Sequence, residues 1–362
     1  MRELVHTIKA KWERYERHIS SITLLTGFVF DNLTLRRVDQ LYDMLVLTSY
    51  VILAGLCIVG LSVLDRRRER GETHEDWHFW LMLTLQFAFG GLFSAFFIFY
   101  TRSGSFASSW PFFLVLAGLL IGNEIFKARY AILIFRITIY FFILFSFAAL
   151  YIPIFLREIG DEIFFMSGLV SLVVLWGFLH LLRYLLPKAI YNSRKKIMAS
   201  IGGIYLLLNI LYFTNIIPPI PLALKEAGVY HSLSRTGSDY VVTGEVRHWY
   251  SFLRRNVYHA VSGEPVYVVG SVFAPNDLKT TIVHEWQFHD EVEDTWITVN
   301  RVAFEIVGGR DNGYRGYSVK SNATPGLWRV NIETQRGQLI GRTTFRIETV
   351  STHPPLETKT IL

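Results

Sequence analysis

The stretch IMASIGGIYLLLNILYFTNIIPPIPLALKEAGVYH, residues 197–231, marks where one kind of chain gives way to another. From Ile197 to Ile217 it carries no charge, and it is about long enough to cross the ~30 Å hydrocarbon layer of a bilayer. Lys195 and Lys196 stand just ahead of this run, and Pro218, Pro219 and Pro221 just behind it. Proline lacks the N–H that continues a helix and restricts the residue before it, so the prolines are expected to stop a helix here. Basic charge on one flank places that flank in the cytoplasm. The chain beyond the prolines is then expected on the opposite side.

Upstream, the texture is that of a membrane. The chain is 51% hydrophobic and 15% aromatic over 362 residues, too apolar for an ordinary soluble domain. Residues 1–18 interleave Lys9, Lys11, Arg14 and Arg17 with Val5, Ile8, Trp12 and Tyr15, the spacing of a basic amphipathic leader at a membrane surface. This charged stretch precedes the first apolar run, and no small-residue cleavage site follows, so a cleavable signal peptide is not expected. Apolar runs follow at Ile19–Phe30, Leu41–Leu64, Phe79–Tyr100, Trp110–Phe126, Tyr130–Leu156, Ile163–Leu186 and Ile197–Ile217. The first is short and either spans or is re-entrant, giving seven or six crossings.

Charge orients these runs. The connectors around 65–76, 127–129 and 187–196 are rich in Arg and Lys, whereas those around 101–109 and 157–162 hold one Arg each. The two classes alternate as the positive-inside rule requires, with the N-terminus in and the C-terminus out; Arg36 and Arg37 are the exception. Residues 1–217 hold 21 Lys and Arg against 15 Asp and Glu, while residues 218–362 are balanced at 15 and 15. The basic excess belongs to the membrane half, which argues for topology and against nucleic-acid binding.

Polar residues inside the spans mark where a transporter or membrane enzyme would reveal itself. Gln86, Glu124, Arg136 and Asn209 form the candidate intramembrane site, with Asn123 and His180 nearby in character. Glu124 and Arg136 sit near cytoplasmic ends of neighbouring runs, within pairing or snorkelling reach. Deep amides such as Gln86 and Asn209 commonly bond between helices. Asp31, Asp39 and Asp43 with Arg36 and Arg37 are expected to pair as salt bridges rather than hold a metal.

Downstream, Leu222–His231 has the composition of a short amphipathic helix capped by Gly228. Arg247–Tyr258, with Trp249, Tyr250, Phe252 and Leu253, is expected as a second one. The texture then changes to strands: Tyr240–Val246, Pro265–Ala274, Lys279–Phe288, Thr295–Ile306, Tyr314–Lys320, Leu327–Thr334 and Leu339–Glu348, separated by Gly, Pro, Asn and Asp turns. His284, Trp286 and Phe288 face one way and Val283, Glu285 and Gln287 the other. About seven short strands at regular spacing predict an antiparallel immunoglobulin-like sandwich with Trp286 and Trp328 in its core. The fold class is thus a membrane all-α bundle of about seven transmembrane helices followed by a soluble all-β domain. The expected divisions are 1–18 leader, 19–217 transmembrane domain, 218–259 interfacial connector, 260–350 β-sandwich and 351–362 tail.

The segments Ile217–Leu222 and Gly228–His231, with Ala274-Pro275, His284-Glu285-Trp286, Gly313–Ser318 and Gly326–Val330, resemble an uncharacterised family of bacterial multi-pass membrane proteins with a C-terminal domain of unknown function 2914. The resemblance implies a fold and a bacterial inner-membrane location but no chemistry.

Candidate chemistry is sparse. His284, Glu285 and His289 alternate across a strand and cannot converge on a metal. Asp290, Glu291, Glu293 and Asp294 form an acidic hairpin tip expected to be a solvated loop rather than a Ca²⁺ site. Gly308-Gly309-Arg310 is not followed by a phosphate-loop Lys-Ser/Thr, and no Gly-x-Ser-x-Gly elbow occurs. Tyr314, Arg315, Tyr317 and Arg329 offer aromatic and cationic groups suited to sugars or anionic polymers. No catalytic residue, metal or cofactor is expected. The single cysteine, Cys57, leaves the downstream half without a disulfide. The expected function is an extracytoplasmic binding module held on a membrane anchor, with the bilayer and an envelope polymer or periplasmic protein as partners. The alternative is a membrane-embedded transporter or lipid-modifying enzyme regulated by the β domain.

Overall fold

The computed structural model describes residues 26–35, 37–72, 75–125, 127–236, 239–246, 256–310 and 312–361. The leader at 1–18, most of the first apolar run, and the helix expected around Trp249 lie outside the described residues. The chain divides into two compact units. One comprises 1–100, 111–152 and 160–211; the other comprises 101–110, 153–159 and 212–362.

The helical region contains α1 (residues 26–34), α2 (Leu41–Glu69), α3 (Glu75–Ser103), α4 (Phe106–Ile125), a short 3-10 turn Lys127–Ala131, α5 (Leu133–Leu156), α6 (Asp161–Leu185) and α7 (Pro187–Phe213). Five of these, α2, α3, α5, α6 and α7, are both long and apolar, with 24 to 29 residues each. At 1.5 Å per residue they reach about 36–44 Å, more than the ~30 Å hydrocarbon layer needs. In α4 the apolar portion is Ser108–Asn123. Pro187 opens α7, a position where its missing N–H costs nothing.

Helix α7 ends at Phe213, ahead of the prolines expected to stop it. Asn215 takes a left-handed backbone (φ 57°) and its N–H donates to the Tyr212 carbonyl at 3.0 Å. Asparagine tolerates this conformation at a helix end. The prolines come after the stop has been made.

The second unit is built from β1 (Ala223–Tyr230), β2 (Ser232–Thr236), β3 (Asp239–Glu245), β4 (Val257–Val261), β5 (Val266–Phe273), β6 (Lys279–Asp290), β7 (Thr295–Val307), β8 (Tyr314–Lys320), β9 (Gly326–Thr334), β10 (Leu339–Val350) and β11 (Leu356–Ile361). They form three sheets, ordered β1-β5-β8, β4-β10-β9-β6-β7 and β11-β3-β2. All pairs are antiparallel except β4 with β10. The segment expected as an amphipathic helix, Leu222–His231, is strand β1, with Val229 opposite Val268 on β5. Pairing along β5 and burial of Val229 and Tyr230 override whatever helical preference Ala223–Ala227 has. Residues 356–361 add β11 to the edge of β3, so strands extend on both sides of 260–350.

The first two sheets share one core. Val229, Val268, Trp286, Trp328, Val330, Phe345 and Ile347 fill one part of it. Leu222, Val272, Leu278, Ile282, Ile306, Ile332 and Ile340 fill the other, with Ile159 packed against them. Trp286 is fully buried and meets Trp328 edge-on, ring centroids 6.3 Å apart. The alternation expected on β6 holds: His284 and Trp286 are fully buried, while Glu285 points away from the core. Each fully buried large apolar side chain contributes roughly 1.5–3 kcal/mol.

Candidate functional site

The outer face of the five-stranded sheet is polar because every second residue of β6, β7, β9 and β10 points away from the core. There the side chains form a continuous network. Gln287 Nε2 donates to Glu285 Oε2 (2.9 Å) and to Thr298 Oγ1 (3.0 Å), and Thr298 in turn donates to Glu285 Oε1. Asn331 Nδ2 donates to Glu285 Oε2 at 3.0 Å, and its own carbonyl accepts from Arg342 Nε at 2.6 Å. Arg329 Nε donates to Gln287 Oε1 at 2.6 Å while its guanidinium carbon lies 4.0 Å from the centroid of the Trp296 ring. Burial and the neighbouring Arg342 charge pull the Arg329 guanidinium down to about 10, against the pull of Glu285. Glu333 closes one side, accepting from Arg301 Nη2 at 2.7 Å. Burial and the charge of Glu285 raise its carboxyl to about 7, despite Arg301 and Arg342.

A second cluster gathers where three connectors meet. His231 lies between β1 and β2, Glu264 between β4 and β5, and His353 between β10 and β11. One ligand atom from each lies within 4.8 Å of the other two. His353 Nε2 is 2.8 Å from Glu264 Oε2, and its Nδ1 is 3.2 Å from the His259 carbonyl. The His231 ring stacks on Tyr258 (4.3 Å, 16°) and meets His353 edge-on at 4.5 Å. Glu245 supports both sides: it lies 3.4 Å from His231 Nε2 and 3.0 Å from His259 Nδ1, and it accepts the His259 amide at 2.7 Å. Burial pushes the Glu245 carboxyl up, but hydrogen bonds from His231 and His259, with the His259 charge, outweigh it and hold it at about 2. Among the described residues this is the one His/Cys/Asp/Glu group with metal-binding spacing. Sequence reading missed it because each ligand sits alone in its own connector, with no local spacing to betray it.

The expected surface residues divide between sheets. Tyr314, Arg315 and Tyr317 are on β8 in the three-stranded sheet, whereas Arg329 is on β9 in the five-stranded one. Tyr314 carries Arg310 over its ring at 5.3 Å, Arg315 is buried, and Tyr317 is exposed beside Tyr240. His284 faces the core and Glu285 the outer network, so they do not meet. The acidic tip is an Asx-type turn in which Asp290 Oδ1 accepts the Val292 and Glu293 amides, with Asp294 paired to His289.

In the helical unit, Gln86 and Asn123 exchange hydrogen bonds between α3 and α4, each amide donating to the other's backbone carbonyl at 3.1 and 3.0 Å. Tyr130 donates to Asn123 Oδ1. Arg136 is 1% exposed and reaches Asp65 Oδ2 at 2.6 Å. Asn209 donates within its own helix, to the Tyr205 carbonyl. The Glu124 side chain lies outside what is described. Gln86, Arg136 and Asn209 thus bond to different partners and not to one another among the described contacts. Arg37 clasps Asp39 through two nitrogens, the salt bridge expected there.

No curated protein matches this chain. A solved structure, "Pseudomonas fluorescens alkylpurine DNA glycosylase AlkC bound to DNA containing an abasic site analog", aligns over 86% of this chain and 99% of that one at 9% identity. Its TM-score is 0.20, too low to carry an argument about fold or function. Residues 279–347, from the start of β6 into β10, match the family described as "Protein of unknown function (DUF2914)".

Proposed function

We propose that this chain is a multi-pass protein of a bacterial inner membrane that presents an immunoglobulin-like module on the extracytoplasmic side, where it binds an envelope polymer or a periplasmic protein. The observation that carries the topology is the make-up of the second unit. It takes in residues 101–110 and 153–159, which hold the arginine-poor connector around 101–109 and the first part, with Arg157, of the one around 157–162, together with everything from residue 212 on. Lys279 N–H donates to the Arg157 carbonyl at 3.3 Å, and Arg157 pairs with Asp277. Segments that the charge pattern assigns to one side thus cluster in one compact unit with the β strands, which supports that reading. Exposed Val173, Trp176, Leu206, Ile210 and Phe213 on α6 and α7 favour lipid as the surrounding medium.

The strand arrangement supports the immunoglobulin-like reading. Strands β5 and β8 share one sheet, and β6, β9 and β10 share the other, as the B, E and C, F, G strands do in such sandwiches. Trp286 occupies the buried position on the C-type strand. The network around Trp296, Gln287, Arg329, Asn331 and Arg342 combines an aromatic ring, amides and guanidinium groups, the donor set that recognises hydroxyl-rich or anionic polymers.

Two measurements test the proposal. A periplasm-active reporter fused after the C-terminus should be active, and a cytosol-active one silent. The full chain in detergent should co-sediment with purified peptidoglycan, and Trp296→Ala with Arg329→Ala should release it. A cytosol-active C-terminus overturns the topology; sedimentation unchanged by the double variant overturns the surface.

A further inference from the structure

We infer that His231, Glu264 and His353 form a binding site for a divalent transition-metal ion, Zn²⁺ being the ion whose preferences they match. Two imidazoles and one carboxylate are a donor set that zinc takes at 2.0–2.2 Å, leaving a fourth position for water or a ligand. A tetrahedral ion with bonds of ~2.0–2.1 Å holds its donors ~3.3 Å apart. The donors here already lie between 2.8 Å, the His353–Glu264 separation, and 4.8 Å, so small side-chain rotations bring them to that spacing.

The hydrogen bonds around the cluster decide which nitrogen is left for an ion. On His231, Nε2 faces Glu245. The remaining nitrogen, Nδ1, is buried and has no hydrogen-bond partner among the described residues, on a side chain only 6% exposed. A buried imidazole nitrogen left unsatisfied is costly, and coordination removes the cost. On His353, Nδ1 faces the His259 carbonyl, which only accepts, so Nδ1 carries the proton and the lone pair sits on Nε2. That lone pair points at the Glu264 carboxylate from 2.8 Å. Two acceptors at this distance require a cation between them, either a proton on His353 or a metal. An outer carboxylate holding a ligating histidine, as Glu245 holds His231, is the usual support of a metal-bound imidazole.

The site opens on one side. The His353 and Glu264 side chains are 23% and 42% exposed, while His231 forms the floor against Tyr258. An ion here keeps a position that water or a ligand's oxygen or nitrogen can occupy, unlike a closed structural site.

The experiment is Zn²⁺ binding by the full chain in detergent, stripped with chelator and then titrated calorimetrically, with metal content measured after dialysis. One Zn²⁺ per chain is expected, with a raised unfolding temperature. Glu264→Gln, at the exposed ligand, and His353→Gln should each weaken binding at least ~100-fold, and Glu245→Gln by ~10–100-fold. His289→Ala, on β6 and paired with Asp294 instead of with any of the three ligands, should bind normally. Circular dichroism establishes that each variant is folded. Co²⁺ in place of zinc should give the intense visible absorption of a tetrahedral site, lost in Glu264→Gln. The inference is overturned if the folded chain takes up no stoichiometric Zn²⁺, which would leave a proton between His353 and Glu264. Binding unchanged in the folded Glu264→Gln and His353→Gln variants overturns it as well.

Discussion

His284 Nδ1 lies 2.9 Å from Ser318 Oγ, linking β6 in one sheet to β8 in the other through the middle of the core. The same hydroxyl accepts the Trp286 indole N–H at 2.9 Å. His284-Glu285-Trp286 and Gly313–Ser318, distant in sequence, thus meet at one oxygen.

Replacing that oxygen should be costly. Ser318→Ala leaves the Trp286 N–H and the His284 Nδ1 without their partner in a dry core. A loss of ~1–3 kcal/mol is expected in urea unfolding followed by tryptophan fluorescence. A variant as stable as the parent would show that the hydroxyl contributes no net energy.

His284 makes stability depend on acid. Burial pushes its ring down from 6.5 to about 4, so the folded chain resists a proton that the unfolded chain accepts. The stabilising contribution is fully present above pH 6.5 and is lost as pH falls towards 4, a difference on the order of 3 kcal/mol. His284→Gln should flatten the unfolding midpoint over that window; an unchanged slope would rule out this histidine as its source.

Glu333 acts in the opposite sense. Its carboxyl is raised from 4.5 to about 7, so the folded chain holds a proton that the unfolded chain releases. The contribution is present below pH 4.5 and disappears as pH rises through 7. Glu333→Gln should therefore improve relative stability more at pH 8 than at pH 5. Equal effects at both values would contradict the raised carboxyl.

Gly308 sits where two backbone segments touch. A Cβ placed there would overlap the Pro275 carbonyl oxygen, a backbone atom that cannot swing aside. Gly308→Ala should cost about 1–3 kcal/mol through forced backbone shifts, measured by thermal unfolding of the full chain. A neutral substitution would mean the β5–β6 turn yields freely.

In the helical unit, Arg136 depends on Asp65. The guanidinium is 1% exposed and the carboxylate 33%. Asp65→Ala strands a buried charge and should cost about 3 kcal/mol, the low end for a broken buried pair because Asp65 is partly solvated. Adding Arg136→Met should recover much of that loss in thermal stability measured in detergent. Additive losses would mean that the two residues do not act as a pair.

What the sequence determined by itself was whatever rests on local pattern. Long uncharged runs placed the helices, because a segment's own length and hydropathy decide whether it suits a bilayer. Period-two alternation and turn residues placed most strands and turned Trp286 inward. Three features were decided by tertiary structure. Leu222–His231 became a strand because β5 offered it hydrogen bonds and a core for Val229, which its own residues do not announce. Helix α7 stopped at Phe213, where the left-handed Asn215 turned the chain before the prolines were reached. The His231–Glu264–His353 cluster exists because three connectors converge, and ligands that are neighbours in space but not along the chain leave no spacing to read.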